Sequence, residues 1–157
     1  KNYLTINKGS RHGIKQGLGV ICSEGIVGIV KDVSRDYSTV ISVLNTNVKF
    51  SAMLSRNGYF GSAYWDGVSN SHIKLSEIPF HVKLKINDKV VTSSYSAIFP
   101  TGVPIGIVES FSKETTENFY DITLKLTTDF GNLQYVYVVD NLFKESQKEI
   151  EEEVKDE

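Results

Sequence analysis

Cysteine is nearly missing from this chain of 157 residues, since Cys22 is the single one, and no disulfide can form within it. Long apolar runs are missing too, because none approaches the roughly 20 residues that a membrane-spanning helix needs. Only three arginines occur and no basic stripe stands out, so the sequence gives nucleic-acid binding little support. The chain begins at Lys1 rather than at a methionine. We therefore expect a fragment of a longer protein, with any signal peptide or anchor upstream.

Residues that carry chemistry are also sparse. The three histidines, His12, His72 and His81, and the one cysteine never fall at the spacing of metal ligands. No phosphate-binding glycine loop is present, and Ser93 and Ser94 lack the flanking glycines of a nucleophile turn. We therefore expect no cofactor, no metal site and no catalysis. The alternative is a double-barrel serine hydrolase. Labelling of Ser93 or Ser94 by a serine-reactive probe would favour it.

Aromatic residues are plentiful, and the eight Tyr, eight Phe and one Trp favour strands over helices. Short alternating or apolar segments predict about eleven strands, at intervals near the 8–12 residues typical of sandwiches and barrels. One of these segments is the clean alternation of residues 82–86, VKLKI. No segment before residue 141 shows a helical period. The sequence therefore predicts an all-β fold.

The C-terminal segment, residues 142–157, differs in composition. Residues 144–157 include seven acidic and three basic side chains, so they carry −4, and the other 143 residues carry +2 of the total of −2. The segment lacks glycine and proline, and Ile150 and Val154 give it only a narrow apolar stripe. We expect an acidic tail that is a frayed helix or is disordered.

Two segments of the chain resemble each other. Residues 27–34 read VGIVKDVS and residues 105–112 read IGIVESFS. Each follows a lysine-containing turn and a strand, which predicts one β-unit used twice, that is, two small β-barrels packed together. Gly28 and Gly106 would then mark equivalent bends, where a side chain would obstruct packing.

A loop with two prolines separates two predicted strands within residues 92–108. Pro100 has no N–H and Gly102 can adopt a positive φ, so these residues predict a turn, and Pro104 can begin the next strand. The apolar residues of the loop are Tyr95, Ile98 and Phe99. Two interpretations stay open: the loop caps a core, or part of it is a contact surface.

A second aromatic group precedes the hairpin signal Asp66-Gly67. In a strand, Tyr59 and Trp65 face the same way as two small residues, whereas Phe60 and Tyr64 face the other way. One face would fill a core, and the other would leave Phe60 and Tyr64 for a partner. Trp65 and its neighbouring tyrosine also suggest an alternative, a carbohydrate-binding β-module. The candidate partner-binding residues are Phe60, Tyr64, Trp65, Tyr95, Ile98 and Phe99.

Several of these segments together resemble the extracytoplasmic domain of the MreC family of rod shape-determining proteins. They are YLTINKGS at residues 3–10, followed by Gly13-Ile14-Lys15 and Gly17, GIVGIV at 25–30, VVTS at 90–93 and FPTGVPIG at 99–106. Their order and spacing make the resemblance specific, and it covers nearly all of residues 1–141. In place of the usual family glycines after the Thr-Ser pair, this chain has Ser-Tyr-Ser-Ala at residues 94–97.

The resemblance implies two small six-stranded-type β-barrels, arranged somewhat like a chymotrypsin-type protease without its catalytic triad. We expect the first barrel in residues 1–57 plus 132–141, the second in 58–131 and the acidic tail in 142–157. The resemblance also implies a scaffold of the bacterial cell-wall elongation machinery, anchored in the cell membrane by an upstream segment, with its β-domain on the extracytoplasmic (periplasmic) side. The implied partners are a penicillin-binding transpeptidase, MreD and RodA, with MreB reached indirectly, and the chain itself through self-association.

Overall fold

Strands account for nearly all of the regular structure. The computed structural model describes residues 3–113 and 117–140, which contain eleven strands and two 3-10 helices. The strands are β1 Tyr3–Ile6, β2 Gly19–Cys22, β3 Gly25–Val33, β4 Ser38–Ser42, β5 Lys49–Leu54, β6 Phe60–Tyr64, β7 His72–Ser76, β8 Lys89–Thr92, β9 Pro104–Lys113, β10 Tyr120–Leu126 and β11 Tyr137–Val139. The 3-10 helices are Ser10–His12 and Phe130–Asn132.

The all-β prediction is confirmed, whereas the predicted acidic tail lies outside the described residues. Within the described ranges, no helix is long and apolar enough to cross a membrane.

The six strands from β5 to β10 close into a barrel. Each is antiparallel to its neighbours in the cyclic order β10-β7-β6-β5-β8-β9. Alternate residues point inward, and on β6 these are the buried Gly61 and Ala63. On the neighbouring β7 they are Ile73 and Leu75. A six-stranded barrel has little interior space, so small residues on one strand leave room for large ones on the next.

The other five strands form a sheet in the order β1-β4-β3-β2-β11. Among the described strands this sheet does not close, and β1 and β11 are its two edges. Its own core consists of Val20, Cys22, Val27, Val30 and Val40. We call this sheet the first unit and the barrel the second unit. The predicted six-stranded closure is thus present in the second unit, while the described part of the first unit has five strands.

Strand β5 joins the second unit, not the first. The sequence places the boundary after residue 57, but β5 pairs with both β6 and β8. The chain crosses between the units at a turn before β5, in which the Val48 N–H donates to the Asn45 carbonyl at 3.0 Å. The expected boundary was wrong on this strand because alternation shows that a strand has a buried face, and not which sheet it enters. At the other end, β11 pairs with β2 and so returns the chain to the first unit.

The two units share part of one core. Ile26 of β3, with Val43 and Leu44 after β4, packs in the same buried cluster as the barrel interior. Just after β10, the Thr128 hydroxyl donates to the Ile26 carbonyl at 2.8 Å. Burial of apolar side chains across the junction therefore holds the units together.

Four strands in each unit have the same pairing. The run β1-β4-β3-β2 of the first unit corresponds to β7-β10-β9-β8 of the second. In the first unit the Gly17 N–H donates to the Val30 carbonyl at 2.9 Å, and in the second the Asn87 N–H donates to the Val108 carbonyl at 2.8 Å. Gly17 and Asn87 both have positive φ, at 89° and 71°. The repeat suggested by the sequence is therefore visible in the backbone.

The two repeated glycines lie beside equivalent β-bulges. Strand pairing skips the residue directly before Gly28 in β3 and directly before Gly106 in β9. A Cβ on Gly28 would lie 2.1 Å from the Ile41 carbonyl oxygen, and one on Gly106 would lie 2.4 Å from the Lys125 carbonyl oxygen. The neighbouring strand approaches both positions so closely that only glycine fits there.

Candidate partner-binding surface

Exposed aromatic side chains meet on the outside of the barrel, between β6 and the loop after β8. Phe60 is 53% exposed and Tyr95 is 69% exposed. Their rings are tilted by 41°, with centroids 4.5 Å apart. Phe60 lies on the outward face of β6, opposite to the buried Gly61. Two candidate residues from distant parts of the sequence thus form one pair at the surface.

Tyr59, the residue before Phe60, is also exposed, although the sequence pattern places it on the inward face of a strand. Strand β6 begins only at Phe60, so Tyr59 belongs to the preceding turn, where the Asn57 side chain accepts its N–H at 3.1 Å. Tyr59 is exposed, and its ring meets that of His81 edge-to-face at 5.7 Å. The turn signal Asn57-Gly58 is the feature that could have revealed this placement. We call Tyr59, Phe60 and Tyr95 the aromatic surface.

The loop that carries Tyr95 closes on Thr92. The Thr92 hydroxyl donates to the Pro100 carbonyl at 2.6 Å and accepts the Val103 N–H at 2.9 Å. Gly102 has φ of 92°, the left-handed conformation that its place in the turn requires. Pro104 is the first residue of β9, where its missing N–H is tolerated. These contacts fix the conformation of the backbone at the two ends of the loop.

Serine side chains organise the middle of the same loop. The Ser93 hydroxyl accepts the Tyr95 N–H at 3.1 Å. The Ser96 hydroxyl accepts the N–H groups of Ile98 and Phe99 at 3.2 and 3.1 Å. Hydrogen bonds from backbone N–H groups to nearby serine side chains stabilise turns, where the backbone has no partner strand to bond. The hydroxyl groups of Ser93 and Ser96 therefore hold the backbone of this part of the loop.

Phe99 is not a contact residue, which corrects its place among the candidates. It is 1% exposed and packs edge-to-face against Phe50 in the barrel core, with centroids 5.8 Å apart. Ile98 is half-buried against the same core, and a Cβ on Gly19 of the first unit would lie 2.8 Å from the Ile98 carbonyl oxygen. The loop folds back onto the barrel, so these two residues cap the core. Tyr95 alone among the three apolar residues is exposed.

Tyr64 and Trp65 lie at the opposite end of β6 from Phe60, away from the aromatic surface. Both are half-buried, and the Lys49 Nζ lies 5.7 Å from the centroid of the Tyr64 ring. Trp65 packs against the barrel core, and its indole N–H donates to the Ser69 carbonyl at 2.7 Å. A ring packed and bonded in this way supports the fold, since a partly buried indole N–H needs a hydrogen-bond partner.

An ion pair holds the turn that precedes Tyr59. The Arg56 guanidinium binds both carboxylate oxygens of Asp88, at 3.1 Å from Nε and 2.9 Å from Nη2, and also donates to the Lys83 carbonyl at 2.6 Å. The hydrogen bonds from Arg56 hold the pKa of Asp88 below its usual value, and Asp88 raises the pKa of Arg56. Both groups are therefore charged at neutral pH, and the pair ties this turn to the segment before β8.

The serines considered as nucleophiles are placed differently from each other. Ser93 is buried, and its hydroxyl lies 2.6 Å from the Ser51 hydroxyl while it also holds the loop. Ser94 is exposed on the same loop.

Within residues 3–113 and 117–140, no three His, Cys, Asp or Glu side chains are grouped to hold a metal ion.

A serine–histidine–carboxylate group does occur on the barrel, and the sequence pattern missed it. His72 Nε2 lies 3.0 Å from each Glu109 carboxylate oxygen, and its Nδ1 lies 2.9 Å from the Ser71 hydroxyl and 3.1 Å from that of Ser69. The triad of serine proteases uses the ring nitrogens the other way round, with Nε2 toward the serine. Glu109 is 37 residues from His72 in sequence, so spacing alone carried no signal.

Comparison with known proteins identifies the family. The family model described as "Rod shape-determining protein MreC, barrel core" matches residues 1–140. The chain belongs to the MreC family. The cell shape-determining protein MreC of Escherichia coli (strain K12) is 26% identical over 136 residues, which make up 87% of this chain and 37% of that protein. The chain spans about a third to a half of the length of the curated relatives it matches.

Solved structures of the MreC family share the fold. The crystal structure of MreC from Pseudomonas aeruginosa gives a TM-score of 0.82 at 23% identity and covers 88% of each chain. A complex between a penicillin-binding protein (PBP2) and MreC from Helicobacter pylori gives a TM-score of 0.70 at 18% identity, covering 88% of this chain and 87% of that one. At these identities the likeness shows the fold alone, which agrees with the barrel and the five-stranded sheet described above.

Proposed function

We propose that this chain is the extracytoplasmic β-domain of a non-catalytic scaffold of the bacterial cell-wall elongation machinery. It would maintain cell shape by binding wall-synthesis proteins, with a penicillin-binding transpeptidase as the direct partner. The aromatic surface carries this proposal, because it presents exposed rings on a domain whose relatives are named cell shape-determining proteins. Support for the partner comes from the Helicobacter pylori complex, in which an MreC protein is bound to a penicillin-binding protein.

The aromatic surface has the properties of a binding hot spot. Tyrosine and phenylalanine supply large contact areas with few rotatable bonds, so their immobilisation on binding loses little entropy. Phe60 lies on a barrel strand, and the Ser93 hydroxyl accepts the backbone N–H of Tyr95. The pair is therefore organised before the partner arrives, which lowers the free-energy cost of association.

Single alanine substitutions test this surface. Phe60→Ala and Tyr95→Ala should each weaken binding to the transpeptidase ectodomain of the same organism by about tenfold or more, as truncation of hot-spot residues does. Tyr37→Ala is the matched control, since Tyr37 is an exposed aromatic residue in the first unit. Isothermal titration calorimetry measures the affinities, and thermal melts show that each variant is folded. Equal affinities for wild type and both surface variants would refute the assignment of this surface.

The family resemblance implies further partners, which stay predictions. They are MreD and RodA in the membrane, MreB through them, and a second copy of the protein. We also propose attachment to the cell membrane through a segment upstream of this chain, with the β-domain on its extracytoplasmic side. Co-purification of the full-length protein from membranes with MreD and RodA is the measurement that checks them. Recovery of the protein without either would contradict this part of the proposal.

The group formed by Ser71, His72 and Glu109 is the observation that favours the hydrolase alternative. We propose that it is structural, since it links the start of β7 to the bulge residue of β9 through surface side chains. A fluorophosphonate probe should therefore label the folded chain no more than the denatured chain. Labelling of Ser71 that disappears in His72→Ala would support a hydrolase instead.

A further inference from the structure

The loop between β5 and β6 contains the single Asn-Gly sequence of the chain, Asn57-Gly58. Both residues are exposed, and Gly58 has φ of 75°. Among the described residues, and apart from its neighbours in the chain, no atom lies within 4 Å of the place that a Cβ on Gly58 would occupy. The side chain of Asn57 and water therefore meet no bulky group at residue 58, where glycine also leaves the backbone free to rotate.

The carboxamide of Asn57 is already folded over the peptide groups that follow it. Its Oδ1 accepts the Tyr59 N–H at 3.1 Å. This hydrogen bond closes a ring of atoms that contains both the Cγ of Asn57 and the backbone N of Gly58. A donor on Oδ1 also stabilises the negative charge that this oxygen gains when a nucleophile attacks Cγ. The turn thus holds an electrophilic carbon and a backbone nitrogen in one local ring.

We propose that Asn57 is a site of spontaneous covalent modification, at which the side-chain amide is lost and the main chain rearranges. The Gly58 N gives its proton to water and forms a bond to Asn57 Cγ, while the C–N bond of the carboxamide breaks and ammonia leaves. Water then opens the resulting five-membered succinimide ring at either carbonyl. Opening at Cγ gives aspartate, and opening at the main-chain carbonyl gives isoaspartate. The reaction needs only water, so this inference is independent of the proposed function.

One backbone hydrogen bond opposes the reaction. The Gly58 N–H donates to the Leu54 carbonyl at 2.9 Å, and this bond must open before the nitrogen loses its proton. A single hydrogen bond at an exposed turn contributes little net free energy, so its opening slows the reaction by only about two- to tenfold. The folded chain should therefore react at a rate within about tenfold of that of the denatured chain.

Asn45 makes the same kind of side-chain hydrogen bond and shows why exposure and the glycine matter. Its Oδ1 accepts the Asn47 N–H at 2.9 Å. Asn45 is only 7% exposed, however, and the next residue is Thr46, whose branched side chain restricts the approach to the peptide N. Asn45 should therefore keep its amide under conditions in which Asn57 loses it.

Aspartate, the first product, should leave the turn intact. Asp66 precedes Gly67 in another exposed turn, and its Oδ1 accepts the Val68 N–H at 3.1 Å. Gly67 has φ of 84°, close to the 75° of Gly58. A carboxylate thus makes in that turn the hydrogen bond that the carboxamide of Asn57 makes here.

Isoaspartate, the second product, lengthens the main chain by one CH₂ group and should disturb the loop. Leu54 ties the end of the loop twice: its N–H donates to the Tyr59 carbonyl at 2.8 Å, and its carbonyl accepts the Gly58 N–H at 2.9 Å. Since the length of a hairpin loop sets how its strands meet, the additional group weakens these hydrogen bonds. The conversion therefore loosens the start of β6, which carries Phe60 of the aromatic surface.

Mass spectrometry of the folded chain after incubation at mildly alkaline pH tests the modification. The peptide that contains residue 57 should shift from the mass of the amide to that of the acid, at a rate within about tenfold of that in the denatured chain. Asn45 is the internal control and should keep its amide in the folded chain. A slower conversion of Asn57 than this, or equal conversion of Asn45 in the folded chain, would overturn the proposal.

Amide exchange followed by NMR tests the effect on the loop. In the isoaspartate form, purified by chromatography, the Leu54 amide should exchange faster than in the unmodified chain by about threefold or more, because the hydrogen bond that protects it is weakened. Asn57→Asp is the matched control, since it has the same charge with the original main chain, and its Leu54 amide should exchange as in the wild type. Equal exchange in the isoaspartate form and in Asn57→Asp would overturn the inferred loosening of β6.

Discussion

Replacement of Phe99 by alanine tests the placement of this residue in the core rather than on a contact surface. The ring is 1% exposed, packs edge-to-face against Phe50, and lies beside Gly19 at the junction of the two units. Phe99→Ala therefore removes a large side chain where the barrel interior meets the first unit. Its surroundings include strands from both units, so they can close the resulting cavity only in part.

The expected loss of stability is large. Truncation of a buried phenylalanine to alanine costs about 3–5 kcal/mol, of which the lost ring pair is about 0.5–1.5 kcal/mol. Domains of ordinary stability unfold at a cost of about 5–15 kcal/mol, so the variant loses a substantial part of the total. For a chain of this size the melting temperature should fall by roughly 6–20 °C.

Urea unfolding followed by the fluorescence of Trp65, the single tryptophan, measures the effect. Phe60→Ala is the matched control, because it deletes the same ring from an exposed position and should change the unfolding free energy by less than about 1 kcal/mol. A Phe99→Ala variant no less stable than Phe60→Ala would refute the assignment of Phe99 to the core. The two variants should also differ in function, since only Phe60→Ala removes part of the aromatic surface.

Three further substitutions test other parts of the structure. Gly106→Ala places a Cβ 2.4 Å from the Lys125 carbonyl oxygen and should cost roughly 1–3 kcal/mol in urea unfolding; an unchanged midpoint would contradict the close approach. Asp88→Asn removes a carboxylate whose pKa is held below 3.8 by hydrogen bonds from Arg56. The unfolding free energy of the wild type should therefore fall as the pH drops from about 4 through the folded-state pKa of Asp88, and the variant should lack this contribution. Unfolding free energies with the same pH dependence in both would count against the ion pair. Trp65→Ala should lower the melting temperature and leave the affinity for peptidoglycan fragments unchanged in calorimetry, whereas a loss of affinity would favour the carbohydrate-binding alternative.

The aromatic surface could be predicted only in part. The alternation of β6 places Phe60 outward because successive strand residues face opposite sides of a sheet. Tyr95 lies on a loop, where the sequence has no periodic pattern that distinguishes exposed from buried residues. Phe99, four residues later, is in the core. Tyr59 was assigned to the wrong face because the pattern extended the strand by one residue into the turn.

The segment 82–86 shows why a clean alternation does not ensure a strand. Its backbone groups are taken by other partners: the Val82 N–H donates to the Pro79 carbonyl at 3.1 Å, and the Val82 carbonyl accepts the Tyr120 hydroxyl at 3.1 Å. The Lys85 N–H donates to the Asp88 carboxylate at 2.9 Å. A backbone already bonded to side chains and turns cannot also form a sheet ladder. Burial of Val82 and partial burial of Leu84 nevertheless agree with the apolar pattern.

Local sequence by itself determined the β character of this chain, the turn residues and the repeated glycines. Each of these depends on neighbours along the chain: side-chain alternation, the φ available to glycine and proline, and the spacing of apolar residues. Tertiary structure alone decided that β5 joins the barrel, that Phe60 meets Tyr95, and that His72 meets Glu109. These contacts join residues distant in sequence, and their geometry follows from how strands pair and units pack, which no local pattern encodes.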